Sequence, residues 1–176
     1  MRIASSLTLV AFAAVSVHSF AASLSFAEQT KLLGNTQQIL DAARRGDAQT
    51  VAAHTSHLIT RLGVPVDSIL PMTQAAMAQT AASGVSLDSA VLGSPSALYE
   101  AQGAEVCFIP YRQELHMSAH KGRSLGFFIA VREDPKGEWA FLDGSRLRAH
   151  PKALGRLFPG LPSGIELPEN RDELDN

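Results

Sequence analysis

The sequence predicts an α+β domain: two to three N-terminal helices packed on a curved antiparallel β-meander, closed by a short C-terminal helix. Three observations carry this expectation. Apolar residues recur at helical spacing between Glu28 and Ala81. From Val85 onward the period shortens to two, in runs separated by Gly-, Pro- and Asp-containing turns. An apolar stretch without acidic residues precedes both and reads as a leader rather than as part of the fold.

That leader opens on Met1-Arg2, continues in an Ala/Val/Leu/Phe run and closes in small residues around Ser25-Phe26-Ala27. At about 20 residues per span, Ile3 to Ala27 is also long enough for an uncleaved anchor. Six serines and His18 dilute the run, and no Lys/Arg cluster follows it, which favours cleavage. The cut is expected near Ala27, with Ser25 and Ala27 small at the required offset; cuts after Ala21 or Ala22 are the alternatives. The expected organisation is a signal peptide over 1–27, a single α+β domain over 28–168 and a disordered acidic tail over 169–176. Such a chain is exported to the periplasm or beyond, without stable membrane insertion after cleavage. No cysteine near the end of the run offers a lipid anchor.

In the first helix, Leu32, Leu33, Ile39, Leu40 and Ala43 form the apolar face from Glu28 to Arg45, weakened at Gly34-Asn35. Gly46 caps its C-terminus and Asp47 opens the next helix, Ala48 to Arg61, whose face is Val51, Ala52, Leu58, Ile59 and Leu62. Gly63 and Pro65 end it. Asp67 or Ser68 caps a third helix through Ile69, Met72, Ala76, Met77 and Ala81, with Pro71 in its first turn. Its many alanines favour helix and fill little core volume.

Val85 to Leu92 reads as the first strand, followed by Gly93-Ser94-Pro95 and a short extended piece at Ala97 to Ala101. Ala104 to Met117 is a longer strand with Cys107, Ile109, Tyr111, Leu115 and Met117 on one face and Arg112, Glu114 and His116 on the other. Val106 and Phe108 imply that its beginning is covered on both sides, and Pro110 implies a bulge or an edge. After a turn at Ser118–Gly122, the strand Leu125 to Arg132 turns Leu125, Phe127, Ile129 and Val131 to one side. Asp134-Pro135-Lys136-Gly137 is a tight turn, and Glu138 to Asp143 completes the meander with Trp139 and Phe141 on the apolar side. A short helix follows near Pro151, with Leu154, Leu157 and Phe158 inward.

Charge excludes one class of partner. The chain has 15 Lys/Arg against 17 Asp/Glu, a net charge of −2, and no basic patch for nucleic acid or an anionic membrane. Cys107 is the single cysteine, so no intrachain disulfide forms; within Val106-Cys107-Phe108-Ile109 it reads as a buried hydrophobe. His54 and His57 stand at i, i+3 without a third ligand, and His116 and His120 flank a turn at no recognised ligand spacing, so no metal or other cofactor is expected. Arg45-Gly46-Asp47 spells an adhesion tripeptide but is fully explained as a helix end, a glycine cap and an aspartate cap. No Gly-x-Ser-x-Gly elbow or phosphate-binding glycine loop is present, and no catalytic residue is assigned. Trp139 and Asp143 share strand parity; with Tyr99 or Tyr111 they would line any cavity that the meander encloses, although a packing tryptophan is the better reading of Trp139.

The order of parts, with Leu40-Asp41-Ala42-Ala43-Arg44-Arg45-Gly46-Asp47-Ala48 near its start, resembles the cystatin-like or NTF2-like α+β superfamily. Gly126-Phe127-Phe128-Ile129-Ala130-Val131, a turn, then Gly137-Glu138-Trp139-Ala140-Phe141-Leu142-Asp143-Gly144, is similar to small exported bacterial proteins of unassigned function. The resemblance implies a cone enclosing a pocket and a homodimer through the outer sheet face; members include isomerases, dehydratases and epoxide hydrolases as well as proteins without catalysis. Fold alone does not choose among them. The inward set read from parity, Ile109, Leu115, Phe127, Ile129, Val131, Trp139 and Phe141, is apolar. The expected function is therefore a non-enzymatic exported domain that binds a protein partner or a small apolar molecule. Arg112, Glu114 and His116 are its candidate partner face, and Tyr111, Trp139 and Asp143 its candidate pocket. The alternative is a pocket enzyme of isomerase or hydrolase type using Asp143 or a tyrosine.

Overall fold

The computed structural model describes residues 22–117, 120–145, 147, 151–162 and 164–174. Of the segment expected as a signal peptide over 1–27, residues 1–21 lie outside them. Helix α1 (Phe26–Arg45) starts at Ser25, whose hydroxyl accepts from the Glu28 N–H at 3.3 Å while the Ser25 N–H donates to the Glu28 carboxylate at 3.0 Å. This reciprocal capping box satisfies donors that the first helical turn leaves open. The helix ends at Gly46, in the left-handed region at φ 73°, with Arg44 and Arg45 in the last turn. Asp47 then caps α2 (Ala48–Arg61), accepting from the Thr50 N–H at 3.1 Å. The Arg-Gly-Asp tripeptide is thus the junction between two helices.

Helix α3 (Val66–Ala82) begins one residue after Pro65, earlier than a cap at Asp67 or Ser68 implies. Pro71 consequently sits in the second turn, where its missing N–H removes the i+4 donor of the Asp67 carbonyl. Ile69 is the only buried residue of α3, and Leu62, assigned by periodicity to the covered face of the preceding helix, is 48% exposed.

Six antiparallel strands form one open sheet: β1 (Val85–Leu92), β2 (Tyr99–Ala101), β3 (Ala104–Met117), β4 (His120–Arg132), β5 (Ala140–Asp143) and β6 (Arg171–Leu174). Strands β3 and β4 are the long central pair, in unbroken register from Glu105 opposite Arg132 to Met117 opposite His120. β1 and β2 share the outer side of β3, and β5 and β6 share the outer side of β4. Helix α4 (Pro151–Leu157) follows β5. Among the described residues no helix is long and apolar enough to cross a membrane.

Two expectations are corrected and one is narrowed. The segment read as a disordered acidic tail supplies β6, with Arg171–Leu174 paired to Gly122–Leu125. Arg171 Nε lies 2.9 Å from Glu173 and Arg123 lies 3.7 Å from it, so the tail's acids are partly matched within the sheet. Of the bulge or edge expected at Pro110, the edge is found, and the bulge lies instead in β1, between Leu87 and Ser89. The Pro110 carbonyl accepts from the Gly93 N–H at 2.8 Å, where the chain leaves β1 and has not yet entered β2. Its missing donor falls in that gap, while next to it the Ser96 hydroxyl accepts from the Phe108 N–H at 2.9 Å in place of a strand.

The second correction concerns which way β4 faces. Ile109 lies opposite Phe128, and Phe108 opposite Ile129. Paired residues share a face, so Phe127, Ile129 and Val131 point away from Cys107, Ile109 and Tyr111. The sheet therefore carries two cores. Cys107, Ile109, Phe128, Ala130 and Phe141 pack with Leu32, Ile39 and Leu40 of α1, while Val106, Phe108, Phe127, Ile129 and Val131 pack under Leu154 and Phe158, joined by Leu161, Ile165 and Leu167. Burial on both sides pushes the Cys107 thiol up to about 12, so it stays protonated and inert.

Where the layers meet, Arg132 is buried with its side chain 7% exposed. Its Nη2 lies 2.9 Å from Glu28 of α1, its Nε bonds Glu105 of β3, and its guanidinium carbon stands 4.5 Å from the Trp139 ring centroid. The Ser25 hydroxyl, then Arg132, hold the Glu28 carboxyl down at about 2. Because this folded value is depressed, the contribution of Glu28 is full above its ordinary value near 4.5 and is lost as pH falls toward 2.

Replacing Arg132 by Met is expected to cost about 3 kcal/mol, read from the denaturant midpoint, since it strands a partly buried carboxylate. Glu28→Gln is expected to be less stable than the parent at pH 7 and to lose less stability between pH 4.5 and 2; an unchanged acid limb in thermal melts would contradict the assignment.

Candidate functional site

The helical layer does not close completely on the sheet. Between α1, α2, α3 and the β1–β3 half of the sheet lies a cleft of about 600 Å³. Its origin is compositional. Helix α3 presents Ala76, Thr80 and Ala81, with Met77 the one long side chain, so the space that Leu or Phe would fill stays open. Ile39, Leu40 and Val51 line the wall from α1 and α2, Val85 and Leu87 line it from β1, and Tyr111, Leu115 and Phe128 belong to the floor.

The polar anchor of the cleft is Tyr111 with Asp143 and Ser145. Tyr111 reaches the cleft from β3, and its hydroxyl lies 3.0 Å from Ser145 Oγ and 3.5 Å from Asp143 Oδ1. The same Oδ1 accepts from the Ser145 N–H at 2.9 Å, a turn that ends β5. Asp143 is exposed and lines the cleft, and its Oδ2 accepts no hydrogen bond from a described residue. Burial, and next the charge of Asp143, raise the Tyr111 phenol above its ordinary value, so it remains a neutral hydroxyl.

Gly126 makes this anchor possible. It lies opposite Tyr111 in the sheet, and a Cβ built there would stand 2.5 Å from the Tyr111 ring and from Ser145 Oγ. Parity alone points to Tyr111 and Asp143 but not to Ser145 or Gly126. The available signal for Gly126 was a glycine inside an apolar strand, which marks close approach of another group.

Of the three candidate pocket residues, the structure brings Tyr111 and Asp143 together and separates Trp139. Trp139 is buried beneath Arg132 and lines a different hollow of about 450 Å³, with Asn35, His54 and His57. It precedes β5, which starts at Ala140, yet it shares the core of Phe141, as their common parity implies. Tyr99 is elsewhere again, tilted against Phe108 in the opposite core.

Arg112, Glu114 and His116 share the sheet face opposite the cleft. His116 Nδ1 lies 2.8 Å from Asp88 of the β1 bulge, Glu114 is in register with Arg123, and Arg112 borders an open groove of about 410 Å³ with Val91, Pro110, Leu125 and Glu169. The strip is half-buried to exposed and cross-linked along the sheet. The rest of that outer face is covered by α4 and the segment after it.

The histidine pair is also divided. His54 packs edge-on to Phe141 at 6.1 Å, while His57 and Arg61 both meet Glu133, at 3.3 and 3.2 Å. Among the described residues no three His, Cys, Asp or Glu side chains converge as a metal site would require.

Gly126→Ala is expected to destabilise by about 1–3 kcal/mol through overpacking and to displace the Tyr111 ring. A double variant with Tyr111→Ala is expected to lose less than the sum of the two single losses; strict additivity in chemical denaturation would mean that the two positions do not touch.

No protein-family model matches the chain, no curated protein matches it, and no solved structure matches it.

Proposed function

We propose that this chain is an exported, non-catalytic binding domain built as an NTF2-like or cystatin-like cone, whose cleft takes a small, mainly apolar molecule carrying one hydrogen-bond donor. The observation that carries this reading is the cleft of about 600 Å³ between the alanine-rich face of α3 and the sheet, with one polar anchor at its floor. Pockets for small ligands are commonly of this size, apolar with a few placed polar groups. Asp143 supplies the acceptor and the apolar walls supply the affinity. Support for export comes from the acid-free apolar run that follows Arg2.

Two features speak against catalysis at this place. The phenol of Tyr111 is held neutral and engaged with Ser145, and the thiol of Cys107 is sealed between the layers. A second reading, a pocket enzyme of isomerase or hydrolase type, is favoured by one observation: the Tyr111 hydroxyl and the Asp143 carboxylate, a donor and a base, stand side by side at the cleft floor. The strip of Arg112, Glu114 and His116 is proposed as a secondary surface for a protein partner. A homodimer through the outer face would have to use this strip, since α4 and its following segment cover the remainder.

N-phenyl-1-naphthylamine is neutral, apolar and carries one N–H donor, so its fluorescence on titration reports the proposed site. Saturable binding to the parent is expected, lost in Ala76→Phe and weakened about 10-fold in Asp143→Asn, the equivalent of ~1.5 kcal/mol for a hydrogen bond to a charged group. Equal binding by a folded Ala76→Phe variant would refute the reading. Turnover of any ester, epoxide or enolisable ketone that disappears in both Asp143→Asn and Tyr111→Phe would establish the enzyme instead.

A further inference from the structure

We propose that the hollow between α1, α2 and residues 133–139, which join β4 to β5, is a second binding site, for a neutral polyhydroxylated molecule of monosaccharide size. Its volume of about 450 Å³ lies within the range of small-molecule pockets. It shares no lining residue with the cleft, so it stands whatever the cleft takes.

Its walls carry polar groups that the fold leaves unused. Arg132 borders the hollow with its side chain only 7% exposed; Nε bonds Glu105, Nη2 bonds Glu28, and Nη1 meets no acceptor among the described residues. No fully shielded side-chain nitrogen or oxygen of the described residues lacks a hydrogen bond, so Nη1 opens onto space rather than onto apolar packing. The hollow that Arg132 borders supplies that space. Asn35 of α1 and His54 of α2 stand half-buried on the same walls, and neither the carboxamide nor the imidazole hydrogen-bonds a described residue. At the rim, Glu133, Asp134 and Glu138 each use one carboxylate oxygen, for His57 and Arg61, for the Lys136 N–H and for Lys31. The second oxygen of each accepts from no described residue.

These groups set the chemistry of the occupant. A guanidinium only donates and an ionised carboxylate only accepts, while the carboxamide does both. The occupant therefore offers acceptors to Arg132 and donors to the rim. A hydroxyl is both at once, and several around one ring reach walls that belong to three separate parts of the chain. Val131, Ala140 and Trp139 leave apolar surface for the C–H face of such a ring. Charge matching makes the occupant neutral: Arg132 is already met by Glu28 and Glu105, Glu133 by Arg61, and Glu138 by Lys31. An anion would crowd the two acids on Arg132. Asp134 lacks an ion pair among the described residues, but it is exposed and hydrated, so it draws a cation only weakly.

Trp139 is the single tryptophan of the chain and lines the hollow, so its fluorescence reads the site directly. Titration of the full chain with D-glucose, D-mannose, D-galactose and myo-inositol is expected to give a saturable change with at least one of them. The affinity is expected to fall about 3- to 10-fold in Asn35→Ala, the loss of one neutral hydrogen bond, and to vanish in Ala53→Leu, which fills the hollow from α2. Ala76→Phe, which blocks the cleft, is expected to leave the response unchanged. No saturable change with any of these probes would overturn the proposal. So would a response that Ala76→Phe removes, or one that persists undiminished in folded Asn35→Ala and Ala53→Leu variants. Tighter binding of the amino sugar or the uronic acid that corresponds to the responding sugar would overturn the neutral character of the site.

Discussion

The guanidinium of Arg132 is the constraint on which the layered arrangement depends. It ends β4, one of the two central strands, and from that place it bonds a carboxylate of β3, a carboxylate in the first turn of α1 and the face of Trp139. Burial alone would work against its charge; hydrogen bonds to Glu28 and Glu105 more than compensate and keep it cationic. A charge buried with two acids and a ring accepts few alternative arrangements. The docking of α1 and the path of the chain through Trp139 are thereby fixed together, and with them the position of Phe141 and Asp143 two and four residues further on.

Against that fixed end of the molecule, the cleft occupies the end where attachment is weakest. Helix α3 buries only Ile69, and the hydrophobic burial that would pull it down onto β1 is absent because its inner residues are small. The sheet side of the cleft is rigid by contrast, since Tyr111 is pressed against Gly126 and tied to the turn after β5. One wall held firmly and one wall held loosely would let the proposed ligand enter without disturbing the polar anchor beneath it.

The helices were legible because their signals are local. Asp47 and Gly46 delimit α2 at its observed start, and the apolar stripe of α1 holds at Leu32, Ile39 and Leu40, although Ala42 and Thr36 are buried and Ala43 is exposed. The faces of the sheet were not. From Phe127 to Val131 β4 is apolar at every position, so alternation carries no information, and only pairing with β3 decides which side chain meets the helices. Pro110 left a bulge or an edge open, and the edge it finds is made by the gap between β1 and β2 rather than by anything in β3. The acidic tail was read by composition, whereas its pairing with β4 depends on an edge that no local pattern reveals. At the candidate site, Tyr111 and Asp143 followed from parity; Trp139 shares the core of Phe141 as parity implies but lines a different hollow.

The division of the outer strands has a further consequence for how this molecule meets its surroundings. Each long central strand is flanked by two short pieces: β2 has three residues, β5 and β6 have four each, and the eight of β1 are interrupted by a bulge at Asp88. No outer strand offers a long flat row of free backbone groups, and an extended segment of another chain would find little to pair with. An open sheet of this length would ordinarily invite growth by strand addition. Here the fragmentation of its margins leaves the faces and the cleft, rather than the edges, as the surfaces open to contact.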